Sequence, residues 1–147
     1  MSFRSRRIAP GRLALLAETG VLLVAAKIVL RAMPFRTIAP KTGAARNFAR
    51  NDCAELVEIG WAFGVIARRI GILRQCLAQG IAARWMLNRR QIANTLYLGV
   101  RRDEEGALLA HAWVRAGART IVGKESRPGF HVIARFGEEE MDSECAG

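Results

Sequence analysis

The chain has 147 residues, 51% of them hydrophobic, and a formal net charge of +10. A chain of this length can bury enough apolar surface to form one domain without a metal or disulfide staple. Its three cysteines, Cys53, Cys76 and Cys145, include no CxxC pair, and with His111 and His131 they show no paired ligand spacing. We therefore expect neither a disulfide framework nor a zinc site, and a reducing compartment.

The positive charge is concentrated near the N-terminus. Residues 1–50 hold ten basic residues and one acidic residue, whereas residues 101–147 hold seven basic and nine acidic residues. The N-terminal arginines flank helices and accompany no nucleic-acid motif or aromatic platform, so we expect no nucleic-acid partner. Affinity for an anionic partner or for a membrane surface is the alternative.

The first predicted element is an apolar helix from Leu13 to Met33, within a predicted N-terminal extension of residues 1–43. A basic stretch precedes it, so a signal peptide and a membrane span have to be considered. Glu18 and Lys27 interrupt the helix, the uninterrupted apolar run is too short to cross a bilayer, and no cleavage motif follows. We expect a soluble helix that lies on a membrane, on a partner or on its own domain.

Two more helices follow. One is predicted to begin near Asp52, with an inner stripe formed by Leu56, Gly60, Phe63, Ala67 and Ile70. The other covers residues 74–87, where apolar and small residues occupy nearly every helical position. Such a pattern is typical of a helix surrounded by protein on all sides.

Cys76 lies near the start of this buried helix. Unpaired backbone N–H groups and the positive end of the helix dipole favour a thiolate there, which makes Cys76 a candidate nucleophile. A lone cysteine in an apolar helix is more often inert packing, and we interpret Cys53 in that way.

The rest of the chain predicts strands at residues 96–100, 108–114, 119–122 and 130–136, joined by short turns as in an antiparallel sheet. His111 lies on the second strand, on the same face as Trp113. A cysteine at a helix start and a later histidine on a strand are the pair that cysteine hydrolases need. His131 is interpreted as a half-buried structural residue. The acidic residues 138–147, which include Cys145, predict a disordered tail.

Three segments together resemble the B2-type leader peptidases of lasso peptide biosynthesis, a family of bacterial cysteine proteases. The similarity covers most of the chain, including the Met-Pro-Phe that ends the first helix. The segments are Cys-Leu-Ala-Gln at 76–79, Leu-Tyr-Leu-Gly-Val-Arg at 96–101 and Ala-His-Ala-Trp-Val at 110–114.

The resemblance implies an α+β, transglutaminase-like and papain-related fold over residues 44–137, with the nucleophile helix packed on a small antiparallel sheet. It implies removal of a leader from a ribosomally made precursor peptide, before an ATP-dependent lasso cyclase acts. A separate leader-recognition protein is the implied partner, because residues 1–50 are too few for a fused recognition domain. No cofactor is expected, and the implied location is the cytoplasm, with or without membrane contact.

The resemblance also implies the roles of the site residues. Cys76 is the nucleophile and His111 the general base and acid, and the backbone N–H of Cys76, with Gln75 as a weak further donor, stabilises the oxyanion. Relatives with a triad carry an Asp about a dozen residues after the His, where this chain has Gly123. Either Glu125 or a backbone carbonyl is then the third member.

Two other functions fit the same residues. The cysteine and histidine could pass the acyl group to an amine instead of water, as a transglutaminase-type acyl transferase does. Alternatively, the chain is a non-catalytic basic adaptor that binds peptide, membrane or nucleic acid, with Cys76 and His111 only packed.

Overall fold

The computed structural model describes residues 10–38, 52–71, 75–124 and 129–137. Helices and strands follow one another in two blocks, which confirms the predicted α+β class. Glu125 and the acidic residues 138–147 lie outside the described residues. The elements are α1 (Pro10–Ala32), α2 (Phe35–Ile38), α3 (Asp52–Arg69), α4 (Cys76–Arg89), β1 (Thr95–Arg102), β2 (Leu108–Ala116), β3 (Arg119–Val122) and β4 (His131–Gly137).

The four strands form one antiparallel sheet in the order β3-β2-β1-β4. The β1 and β2 strands form a hairpin in which Leu98 pairs with Ala112 and Gly99 pairs with His111. β4 returns to the outer side of β1, so the last strand is an edge and not a neighbour of β3. The predicted antiparallel pairing is confirmed.

Helix α4 lies between α1 and the sheet, and this position explains its burial. Gly80 makes the close approach to the sheet possible, since a Cβ there would lie 2.8 Å from Leu96 Cδ1 and within 4 Å of Ala112 and Val114. The helix also buries one charge, Arg84, and burial lowers the pKa of its guanidinium to about 10. The prediction of a buried central helix is confirmed.

Helix α3 turns Leu56, Ile59, Ala62 and Phe63 into the core. The predicted inner stripe is right at Leu56 and Phe63 but wrong at Ile70, which is 42% exposed. The stripe fails there because Ile70 follows the last helical residue, Arg69, so it no longer continues the helical spacing.

Helix α1 packs one face on α3 and α4, where Thr19, Leu23 and Ala26 are fully buried. Glu18 on this face forms ion pairs with Arg89 (3.0 Å) and Arg90 (2.7 Å). The hydrogen bond from Arg90 lowers the pKa of Glu18 despite its partial burial.

By length and composition α1 is long and apolar enough to cross a membrane, contrary to our sequence-based expectation. The buried helix of a soluble protein and a signal sequence meet the same criteria, so length and composition alone assign no location.

Candidate active site

A cleft of about 580 Å³ opens between α3, the start of α4 and the β2–β3 side of the sheet. Cys76 and His111, the two residues that the sequence singled out, both line it. The remaining lining residues are Gly60, Trp61, Phe63, Gly64, Ala67, Arg68, Gln79, Ile121, Val122, Gly123 and Lys124.

Cys76 is the first residue of α4, as the sequence predicted, and is a half-buried free thiol. Gln75 precedes it in extended conformation (φ −60°, ψ 118°) and its exposed side chain makes no capping hydrogen bond. No acidic residue occupies the first turn. The backbone N–H groups there are therefore not satisfied by a side-chain cap or opposed by a nearby carboxylate.

The other described cysteine differs from this thiol. Cys53, which we had interpreted as a packed thiol, is disulfide-bonded. The expectation that the cysteines stay unpaired is therefore wrong at this position, because the spacing of cysteines along a chain does not determine which of them meet in space.

His111 is oriented by the backbone at Gly123. Its Nε2 lies 2.9 Å from the carbonyl oxygen of Gly123, in hydrogen-bond contact. A carbonyl oxygen can only accept, so Nε2 carries the proton of this bond. In the neutral imidazole Nδ1 is then the nitrogen with a free lone pair, and it can accept a thiol proton.

The backbone at position 123 requires glycine. Gly123 has a φ of +81°, and a Cβ there would lie 2.6 Å from Ala112 O and 2.7 Å from Trp113 Cβ. A side chain at this position would clash with β2 and strain the backbone. Position 123, where the resemblance implied an Asp in proteins with a triad, thus contributes its carbonyl here. Glu125, the other candidate third member, lies outside the described residues and stays a prediction.

Aromatic rings surround the imidazole. The ring centroid of His111 lies 6.0 Å from that of Trp113 and 5.3 Å from that of Phe130, and Trp113 stacks in turn on Tyr97 at 5.6 Å. Gly99 makes room for this cluster, since a Cβ there would lie 2.8 Å from the Trp113 ring. The predicted neighbour relation of His111 and Trp113 is confirmed, and the packing restricts rotation of the imidazole.

His131 does not belong to this arrangement. It lies exposed on the edge strand β4, which corrects the expectation of a half-buried residue. An edge strand pairs on one side only, and alternation along a strand cannot tell which strand becomes the edge.

Between the described side chains of Cys76 and His111 no hydrogen bond is present, although both line the cleft. Catalytic hydrogen bonds are often long before substrate binds. The charged residues among the cleft's described lining are Arg68 and Lys124, with no carboxylate beside them. Among the described residues, no group of three or more His, Cys, Asp or Glu is arranged so that it could hold a metal ion.

The α3 wall of the cleft was not among the predicted features of the site. Gly60 and Ala67 were assigned to the core stripe, and Gly64 and Arg68 were not singled out. The signal was present, because two glycines one helical turn apart leave a shallow groove on a helix face that a packed core would fill.

Comparison with protein families gives a match over most of the chain. A family model described as the transglutaminase-like superfamily matches residues 20–135, a span that contains Cys76, His111 and Gly123. Comparison with curated proteins and with solved structures finds no match.

Proposed function

The chain belongs to the transglutaminase-like superfamily, and from this premise we propose that it is a cysteine peptidase that removes the leader from a lasso peptide precursor. The superfamily includes cysteine peptidases and acyl transferases. One observation carries the proposal. An imidazole held at Nε2 by the Gly123 carbonyl lines the same cleft as a free thiol at a helix start.

The first step forms a thioester. His111 Nδ1 takes the proton from Cys76 Sγ, and the thiolate attacks the carbonyl carbon of the last leader residue. The oxyanion accepts a hydrogen bond from the backbone N–H of Cys76, and the side chain of Gln75, at the N-cap, is a further candidate donor. When the C–N bond breaks, His111 gives its proton to the departing amine.

The second step releases the leader. His111 takes a proton from water, the resulting hydroxide attacks the thioester, and the thiolate leaves and recovers the proton. Throughout, the Gly123 carbonyl stabilises the imidazolium through the Nε2 proton and keeps Nδ1 directed to the reaction. The products are a leader with a free carboxylate and a core peptide with a free amine.

The biological setting rests on the resemblance in the three sequence segments. We propose that the enzyme works with a separate leader-recognition protein, and that an ATP-dependent cyclase uses the freed amine. The cleft has enough volume for an extended peptide segment of a few residues, and its α3 wall of Gly60, Gly64 and Ala67 allows a backbone to approach closely.

The decisive experiment is cleavage of the cognate precursor, with and without the recognition protein, followed by mass spectrometry. We expect Cys76→Ala and His111→Ala to reduce the rate by about 10³-fold or more. The matched control is His131→Ala, an exposed histidine on β4, which should cleave at the wild-type rate. Cleavage by Cys76→Ala at the wild-type rate would refute the peptidase and leave the basic adaptor.

Product mass separates the two enzymatic functions. Hydrolysis gives a leader acid and a free core peptide, whereas an acyl transferase gives a conjugate of the leader with an added amine. A conjugate formed in preference to the acid, and lost in Cys76→Ala, would replace the peptidase with the transferase.

The role of the backbone carbonyl has its own test. Gly123→Ala should lower the rate because the carbonyl that orients His111 must move. Gly106→Ala is matched to it, since Gly106 also has positive φ (+84°) but a Cβ there meets nothing within 4 Å. An unchanged rate in Gly123→Ala, together with a loss in Glu125→Ala, would assign the orienting role to Glu125.

A further inference from the structure

The outer face of α1 is an apolar surface without a partner among the described residues. Leu13, Val21, Val24 and Ile28 follow one another at helical spacing and are 54%, 68%, 48% and 62% exposed. We call these four residues the α1 stripe. A soluble domain rarely exposes a row of large aliphatic side chains unless the row binds something.

The exposed charges that α1 itself carries are all positive. The helix has one carboxylate, Glu18, and it faces inwards to Arg89 and Arg90. Arg31 lies at one end of the stripe and Arg36 follows in α2, and both are exposed, whereas Arg12 at the other end is paired with Glu58. The same excess continues through residues 1–50, with ten basic residues and one acidic residue.

α1 is packed like a helix that lies along the outside of its domain, and not like a helix that crosses a membrane. Its inner face is buried along Thr19, Leu23 and Ala26 against α3 and α4. Insertion across a bilayer would carry the ion pair of Glu18 and Arg90 into hydrocarbon, where unsolvated charges are costly. The apolar face is thus available only to something that approaches from outside.

We propose that α1 docks this protein on an anionic membrane surface. The helix lies in the interfacial plane, with the α1 stripe in the boundary between headgroups and acyl chains and with Arg31 and Arg36 at the lipid phosphates. This combination of an apolar face, a basic margin and an inward-facing acid is what an interfacial helix needs. The proposal is independent of the peptidase chemistry.

Docking of α1 also fixes the position of the cleft relative to the membrane. Arg12 pairs with Glu58 at 2.7 Å, and its guanidinium lies 4.7 Å from the ring centroid of Trp61, which lines the cleft. The Arg12 side chain therefore connects the N-terminal end of α1 to the wall of the cleft. A docked protein holds its cleft beside the membrane.

The test is cosedimentation of the full-length protein with vesicles of phosphatidylcholine, pure or with one third phosphatidylglycerol. We expect binding to the anionic vesicles that weakens at high salt. The variant Val21→Ser/Val24→Ser/Ile28→Ser should bind about tenfold or more weakly. The matched control, Leu108→Ser/Ile133→Ser, changes residues that are each 63% exposed on the sheet and should bind like wild type.

A second variant tests the charges without changing the apolar surface. Arg31→Gln/Arg36→Gln should bind anionic vesicles several-fold more weakly and behave like wild type with pure phosphatidylcholine. Thermal unfolding followed by circular dichroism verifies that each variant is folded.

Three results would overturn the proposal. They are the absence of binding to anionic vesicles, equal binding by the stripe variant, and a stripe variant that loses only self-association or binding to the recognition protein. Loss of precursor cleavage without loss of vesicle binding would concern the proposed peptidase alone.

Discussion

Helices α1 and α4 pack against each other, and the more apolar of the two is the less buried. In α1, three residues are fully buried while four large aliphatic side chains are at least 48% exposed. In α4, more than half of the residues are buried: Ala78, Gly80, Ile81, Ala82, Ala83, Arg84, Met86 and Leu87.

The difference follows from the layer that each helix occupies. α4 lies between α1 and the sheet, and its small residues let both neighbours approach. α1 is the outer layer and contacts other elements on one side only. Apolar content thus predicts that a helix buries a face, whereas its place among the layers decides how many faces are buried.

The largest expected effect tests the inner face of α1. Leu23→Ala removes a fully buried side chain and leaves a cavity against α3 and α4, so we expect a loss of about 3 kcal/mol in the free energy of unfolding. Val24→Ala, its neighbour on the exposed side, should change that free energy by less than about 0.5 kcal/mol. Urea unfolding measures both, and equal losses would mean that the two faces of α1 do not differ.

The next effect tests the contact between α4 and the sheet. Gly80→Val adds a side chain whose Cβ would lie only 2.8 Å from Leu96 Cδ1, with two methyl groups beyond it. Overpacking of this kind costs about 2 kcal/mol. Gly20→Val is the control, because Gly20 is inside α1 and a Cβ there meets nothing within 4 Å. Similar stability of the two variants would contradict the close approach of α4.

The smallest effect tests the ion pair that joins the two helices. Glu18→Gln should cost about 1 kcal/mol at neutral pH, since it removes the charge that pairs with Arg90. The pKa of Glu18 is lowered in the folded protein, chiefly by the hydrogen bond from Arg90. Glu18 therefore contributes its full stabilisation of the folded state at pH values above the carboxyl pKa of the unfolded chain. This stabilisation is lost as the pH falls through the lower pKa that Glu18 has in the folded protein.

Unfolding of wild type and Glu18→Gln over an acid-to-neutral pH series measures this. The two stabilities should differ at neutral pH and converge in acid. Glu105→Gln, an exposed carboxylate in the β1–β2 turn, should follow wild type at every pH. A difference between wild type and Glu18→Gln that is the same at all pH values would show that Glu18 contributes by packing and not by charge.

The candidate site was predictable in part. Cys76 at a helix start and His111 beside Trp113 follow from local patterns, because helical and strand periodicity fix which face a residue shares with its neighbours. For the third group the sequence left two alternatives, Glu125 or a backbone carbonyl. A carbonyl that accepts a hydrogen bond from His111 has no sequence signature, and at Gly123 the only local sign is a glycine.

The sequence by itself determined the long helices, the alternating strands and the α+β class, since these depend on the period of apolar residues along a short stretch of chain. Tertiary structure alone decided which elements cover α4, that residues 121–124 and α3 met around Cys76, and that the α1 stripe stayed outside. Those outcomes depend on contacts between residues far apart in the chain, and such contacts are fixed only when the layers pack.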